Sequence, residues 1–81
     1  MDRNEIEKKV LEHIIEIYGV QEVQLDEKFL NLGDTLDVVE LMMELEMEFG
    51  NKVSDEEVDE VILGDVNALV DLFDRKLEGN K

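Results

Sequence analysis

Apolar residues recur at helical spacing in the first part of the chain. Between Asn4 and Tyr18 they form one stripe of an amphipathic helix: Ile6, Val10, Ile14 and Ile17, flanked by Leu11 and Ile15. Asn4 and Glu7 have the spacing of a capping box, and Gly19 stands where a left-handed residue would end the helix. The sequence therefore predicts a first helix from Asn4 to Tyr18.

Residues 20–34 lose this regularity. Their apolar residues are scattered among polar ones: Val23, Leu25, Phe29, Leu30 and Leu32. Because neither a helical nor a strand period fits, we interpret the segment as a long, partly buried loop.

The apolar pattern returns between Asp34 or Thr35 and Phe49, and it is unusually broad. One stripe consists of Leu36, Val39, Met43 and Met47. The adjoining stripe consists of Val38, Leu41, Met42, Leu45 and Phe49. A helix with so wide an apolar surface is either deeply buried or presents part of that surface to a partner. Gly50 is placed to end it.

Two more helices complete the pattern. Ser54 and Glu57 form a capping-box signature, which predicts a short helix through about Val61. The last helix is amphipathic, with the apolar residues Val66, Leu69, Val70, Phe73 and Leu77. No strand-like alternation competes. We expect an all-α fold, a small bundle of three main helices plus one short helix with a long first loop, in a single domain spanning residues 1–81.

The charge of the chain narrows the classes of partner. Its 81 residues include 23 acidic and 8 basic side chains, a formal net charge of −15. Such a protein is repelled by phosphate backbones and anionic lipid, so we expect no nucleic-acid binding and no membrane insertion. The acids between Asp34 and Glu60 could form a solvated face. Because they flank Leu36, Val39 and Met43, they indicate instead a protein interface for basic-patched partners.

The sequence lacks the residues that several kinds of functional site require. The chain has no cysteine, which excludes disulfides, thiolate nucleophiles and cysteine zinc sites. A calcium loop and a phosphate-binding glycine motif are also missing from the sequence. The lone histidine, His13, has only Glu12 and Glu16 nearby on its predicted helix, and we interpret it as a structural or surface residue without partners. We expect no catalytic site, no metal site and no enzyme activity.

The segment from Leu32 to Phe49, LGDTLDVVELMMELEMEF, resembles the acyl carrier protein family around its Asp-Ser-Leu motif. The first and last helices, the opening Ser54-Asp55-Glu56-Glu57 of the short helix, the size and the acidity are similar to that family as well. The resemblance covers nearly the whole chain. It implies that the residue at the start of the second main helix carries a 4′-phosphopantetheine arm, whose thiol holds an acyl chain as a thioester.

Position by position, the resemblance implies an attachment site and a docking surface. Thr35 matches the attachment serine, with Asp34 and Leu36 beside it. The residues that match the partner-binding surface are Asp37, Val39, Glu40, Met43 and Glu46, with Val53 and Asp55 on its neighbouring lip. The chain departs from the family pattern in having threonine for serine, a shorter segment from Phe29 to Thr35, and Met47 in place of a glutamate.

The resemblance implies an acyl carrier for fatty-acid or related biosynthesis. Its expected partners are a phosphopantetheinyl transferase and basic-patched acyl-transfer and synthase enzymes. We expect a monomer. We also expect the cytoplasm as its location, since the N-terminus has no apolar stretch of signal-peptide type. The alternative is an unmodified acidic helical adaptor that uses the same surface. Thr35 itself fits a natural unmodified homologue, a deliberate serine replacement, or a carrier served by a specialised transferase.

Overall fold

Five α-helices make up most of the computed structural model, which describes residues 1–79. They are α1 (Arg3–Tyr18), α2 (Phe29–Leu32), α3 (Thr35–Phe49), α4 (Asp55–Ile62) and α5 (Val66–Gly79). Within the described residues the only extended pairing is an isolated bridge between Lys28 and Asp65. The predicted all-α bundle of three main helices and one short helix is confirmed, and α2 is an additional short element.

The helix ends follow local signals in most cases. Gly19 and Gly50 end α1 and α3 in the left-handed conformation, each with φ of 68°, which suits glycine because it has no Cβ. The capping box of Ser54 and Glu57 is present at α4. The predicted box of Asn4 and Glu7 is wrong, because Asp2 caps α1 by accepting a hydrogen bond from the Glu5 N–H, which places Asn4 and Glu7 inside the helix.

The segment predicted as one long loop is more ordered than its sequence indicates. Phe29 starts α2 and is buried in the core. Residues 25–29 run beside the turn between α4 and α5, where Phe29 N–H donates to the Gly64 carbonyl, Val66 N–H to Glu27 and Asn67 N–H to Leu25. These partners are 35 to 42 residues away along the chain. No local periodicity could therefore indicate them.

One apolar core joins all five helices. Its fully or nearly buried members are Ile6, Val10, Ile14, Phe29, Val38, Leu41, Met42, Leu45, Phe49, Val61, Val66, Leu69, Val70, Leu72 and Phe73. The rings of Phe49 and Phe73 lie 5.0 Å apart at 42°. Helix α1 packs on α3 and α5, and α4 packs on both of those helices. Among residues 1–79 we find no helix that could span a lipid bilayer.

Candidate functional site

Thr35 is the first residue of α3 and is exposed to solvent. The preceding residue, Asp34, has an extended backbone and caps the helix: its Oδ1 accepts a hydrogen bond from the Leu36 N–H at 3.0 Å. The cap therefore does not need the Thr35 hydroxyl, which makes no hydrogen bond with any residue in 1–79. A covalent group on Thr35 would leave the start of α3 intact.

The residues around Thr35 fit a phosphopantetheine arm. A phosphodiester on the first residue of α3 would lie at the positive end of the helix dipole, where anions are favoured. Leu36 is 73% exposed and offers an apolar surface next to the hydroxyl. Asp34 and Asp37 place negative charge on either side of Thr35. This charge repels the phosphodiester but attracts a partner protein with a basic surface.

Tyr18 and Gly33 form the support beneath this site. A Cβ added to Gly33 would lie 3.0 Å from Cε1 of Tyr18 and 3.1 Å from Oδ2 of Asp37. The tyrosine ring and the Asp37 carboxylate thus both lie beside Gly33, in the backbone before Thr35, where a larger side chain would meet them. Burial raises the pKa of Tyr18 to about 12, and the charges of Asp37 and Asp34 add to this effect. The Tyr18 hydroxyl is enclosed and has no hydrogen-bond partner within residues 1–79.

The outer face of α3 carries an exposed apolar stripe. Its four members follow one another at intervals of three or four residues and are between 44% and 85% exposed: Leu36, Val39, Met43 and Met47. At the helical rise the stripe is about 17 Å long. The adjoining stripe of the broad apolar pattern is buried in the core, including Met42 at 3% exposure. One face of α3 therefore packs in the core, and another face is exposed to solvent.

The acidic residues beside this stripe differ in what they contact. Within residues 1–79, the side chains of Asp37 and Glu40 make no hydrogen bond or ion pair. Glu46 is engaged, because its Oε2 accepts a hydrogen bond from the Val53 N–H at 2.7 Å. That bond holds the segment before α4 against α3, where Val53 is partly buried and packs against the core. Asp55 follows as the exposed first residue of α4.

His13 has partners, so the expectation that it lacks them is wrong. Its Nδ1 lies 3.0 Å from Oε1 of Glu44, and its Nε2 lies 3.1 Å from Oε1 of Glu48. Both carboxylates belong to α3, more than thirty positions along the chain. The nearby acids of its own helix, Glu12 and Glu16, are not its partners.

No group of three or more histidine, aspartate or glutamate side chains within residues 1–79 is arranged to hold a metal ion. Three contacts at or near the site have no signal in the sequence: the position of the Tyr18 ring beside Gly33, the bond from Val53 to Glu46, and the pairs of His13. Each joins residues that are distant in sequence or involves a backbone group, so a motif search could not have found them.

Comparison with known proteins identifies the family. No family model matches the chain, and no solved structure matches it. Among curated proteins, an acyl carrier protein of Rickettsia bellii (strain RML369-C) is 43% identical over 60 residues, covering 69% of this chain and 70% of the relative. The helical bundle and the sequence at the start of α3 are both consistent with this relationship. The chain therefore belongs to the acyl carrier protein family.

Proposed function

We propose that the protein is a carrier that holds acyl groups as thioesters on a 4′-phosphopantetheine arm attached to Thr35, for fatty-acid or related acyl biosynthesis. The observation that carries this proposal is the exposed Thr35 hydroxyl, which the helix cap leaves free because Asp34 supplies the cap. The arm, when bound, supplies the thiol. The protein supplies its position at the start of α3 and the surface that partners recognise.

Loading requires the Thr35 hydroxyl to lose its proton and attack the β-phosphate of coenzyme A in the site of a transferase, where Mg²⁺ offsets the phosphate charge. The attack breaks the pyrophosphate bond, so the arm is transferred to Thr35 and adenosine 3′,5′-bisphosphate leaves. A threonine hydroxyl can perform this attack. Its β-methyl group restricts χ1 and adds bulk beside the oxygen, so small errors in position slow the reaction. We therefore propose slow loading by a transferase of broad specificity and faster loading by one adapted to threonine.

Partner enzymes would dock on the outer face of α3. Asp37 and Glu40 offer unpaired carboxylates that steer a basic surface toward the protein, while Val39 and Met43 provide apolar contact at its centre. Glu46 contributes mainly by holding Val53 and the start of α4 at the edge of that surface. We propose that a phosphopantetheinyl transferase and basic-patched acyl-transfer and synthase enzymes share this site.

The remaining expectations belong to the same proposal. Residues 1–81 form one carrier domain, which acts as a monomer in the cytoplasm and binds neither nucleic acid nor membrane. The net charge of −15 supports the last point, since it opposes approach to phosphate-rich surfaces.

Intact-mass measurement tests the carrier function. The parent, Thr35→Ser and Thr35→Ala are each incubated with coenzyme A, Mg²⁺ and a broad-specificity phosphopantetheinyl transferase. We expect the serine variant to gain one arm rapidly, the parent slowly, and the alanine variant not at all. Circular dichroism checks that all three are equally helical, as expected because Asp34 retains the cap.

Two results would change the conclusion. If the serine variant also stays unloaded with several transferases, the segment from Phe29 to Thr35 rather than the methyl group blocks the reaction, and the unmodified adaptor becomes the better account. If the alanine variant gains an arm, the attachment residue is not Thr35.

A further inference from the structure

His13 lies between two carboxylates of the neighbouring helix. Its two ring nitrogens face Oε1 of Glu44 and Oε1 of Glu48, at 3.0 Å and 3.1 Å. An ionised carboxylate only accepts hydrogen bonds, and a neutral imidazole has a single N–H to donate. Both contacts are therefore satisfied together only when the imidazole carries two protons and a positive charge.

Two carboxylates and one lysine surround His13. On α1, Lys9 lies one turn before His13, and its Nζ is 3.5 Å from Oε2 of Glu48. On α3, Glu44 and Glu48 are four residues apart, so their like charges repel unless a cation lies between them. The hydrogen bond from His13 lowers the pKa of Glu48, with a smaller contribution from Lys9. Helix α5, which also packs on α1, provides no ion-pair partner for His13 within the described residues.

We call the four residues Lys9, His13, Glu44 and Glu48 the His13 clip. They lie next to core residues of α1 and α3. His13 precedes Ile14, a fully buried core residue of α1. Glu44 and Glu48 flank Leu45 of the core and the exposed Met47 on α3. The side chain of His13 is 20% exposed, so solvent can exchange its proton while screening the pairs only partly.

We propose that the His13 clip is a pH-dependent link between α1 and α3. The link is strong when the imidazole is doubly protonated and weaker when it is neutral. After loss of one proton, one ring nitrogen presents a lone pair to a carboxylate oxygen, and that contact changes from attractive to repulsive. The doubly protonated ring makes two charge-assisted hydrogen bonds and the neutral ring makes one, so we expect the clip's contribution to stability to be largest at the acidic end of the histidine range. It is lost as the pH rises.

The composition of the chain allows a simple test of this proposal. His13 is the only histidine and there is no cysteine, so between about pH 5.5 and 8 few other groups change their charge. The α-amino group of Met1 is the main exception. An N-terminally acetylated preparation removes that contribution.

Thermal unfolding of the full chain, followed by circular dichroism at fixed ionic strength across this pH range, provides the test. We expect the Tm of the parent to fall by about 2 to 6 °C from the acidic to the basic end. His13→Gln should show no such fall, and the two curves should converge at the basic end. The double variant Glu44→Gln with Glu48→Gln should also lose the fall, because an amide can meet either a ring N–H or a ring lone pair.

Several outcomes would overturn the proposal. A parent Tm that is constant or rises over this range would do so, as would an equal fall in His13→Gln. If His13→Gln does not fold, the double glutamine variant decides the question, since an undiminished fall in that protein would exclude the clip as its origin. Loading of Thr35 is not involved, so the outcome is independent of the carrier function.

Discussion

Tyr18 offers a direct probe of the environment beside Gly33 and Thr35, because it is the only tyrosine and there is no tryptophan. Its hydroxyl is enclosed without a hydrogen-bond partner in residues 1–79. Leaving a buried polar group unsatisfied costs about 1 to 3 kcal/mol. Tyr18→Phe removes the hydroxyl and keeps the ring that contacts Gly33, so we expect this variant to be about 1 kcal/mol more stable than the parent. In a domain of this size that gain raises the Tm by about 4 to 8 °C.

The ionisation of Tyr18 gives a second measure of the same environment. Burial, followed by the charges of Asp37 and Asp34, raises the pKa of Tyr18 to about 12 from the ordinary 10.0. Since the folded value is above the unfolded one, folding favours the neutral phenol. Stability from this group is fully present below the unfolded value and is lost as the pH rises toward the folded value. Tyr18→Phe should therefore remain helical at alkaline pH where the parent begins to unfold.

Ultraviolet absorbance of tyrosinate follows this ionisation without interference, and circular dichroism at each pH shows whether the protein is still folded. We expect the absorbance midpoint to lie well above the ordinary tyrosine value, and Asp37→Asn to bring it down by part of the difference. A midpoint at the ordinary value in a fully helical protein would refute the account of the enclosed ring. A Tyr18→Phe variant less stable than the parent would show that the hydroxyl does have a partner.

Two further variants test other contacts. Glu57 accepts a hydrogen bond from the Ser54 N–H at 2.8 Å and pairs with Lys76 at 3.0 Å, so Glu57→Ala should lower the free energy of unfolding in urea by about 1 to 2 kcal/mol. Its pKa is lowered chiefly by the Ser54 bond, so this contribution is present above the unfolded value and should vanish as the pH falls through the folded one. For docking, Glu40→Lys should slow loading of the Thr35→Ser protein and flatten its salt dependence without changing the Tm, whereas Glu46→Lys should lower the Tm as well. Equal loading of the Glu40→Lys protein and its parent would place docking elsewhere.

The sequence was sufficient for the elements whose signals are local. The ends of α3 follow from Asp34 and Gly50, and the start of α4 follows from the spacing of Ser54 and Glu57. The apolar period separated two stripes on α3, and the structure shows which is which: Leu41 and Leu45 are in the buried stripe, whereas Met43 and Met47 are in the exposed one. At α1 the sequence predicted Asn4 as the cap, whereas the structure assigns that role to Asp2.

Other features depend on the folded chain bringing distant residues together. The partners of His13 are 31 and 35 positions away, and α2 forms where Phe29 enters a core built by other helices. Thr35 was proposed as the attachment position from its resemblance to a family motif. Its free hydroxyl became evident only when the structure assigned the cap to Asp34.

The backbone bonds between residues 25–29 and the α4–α5 turn have a consequence for local unfolding. Three amides, those of Phe29, Val66 and Asn67, are protected by contacts that cross between the same two segments. Opening either segment exposes all three, so they belong to one cooperative unit rather than to two independent loops. Because these contacts join distant parts of the chain, the unit also forms only after the helices it connects have come together. The first loop is thus held against the α4–α5 turn by these hydrogen bonds. They limit how far the region before Thr35 can move.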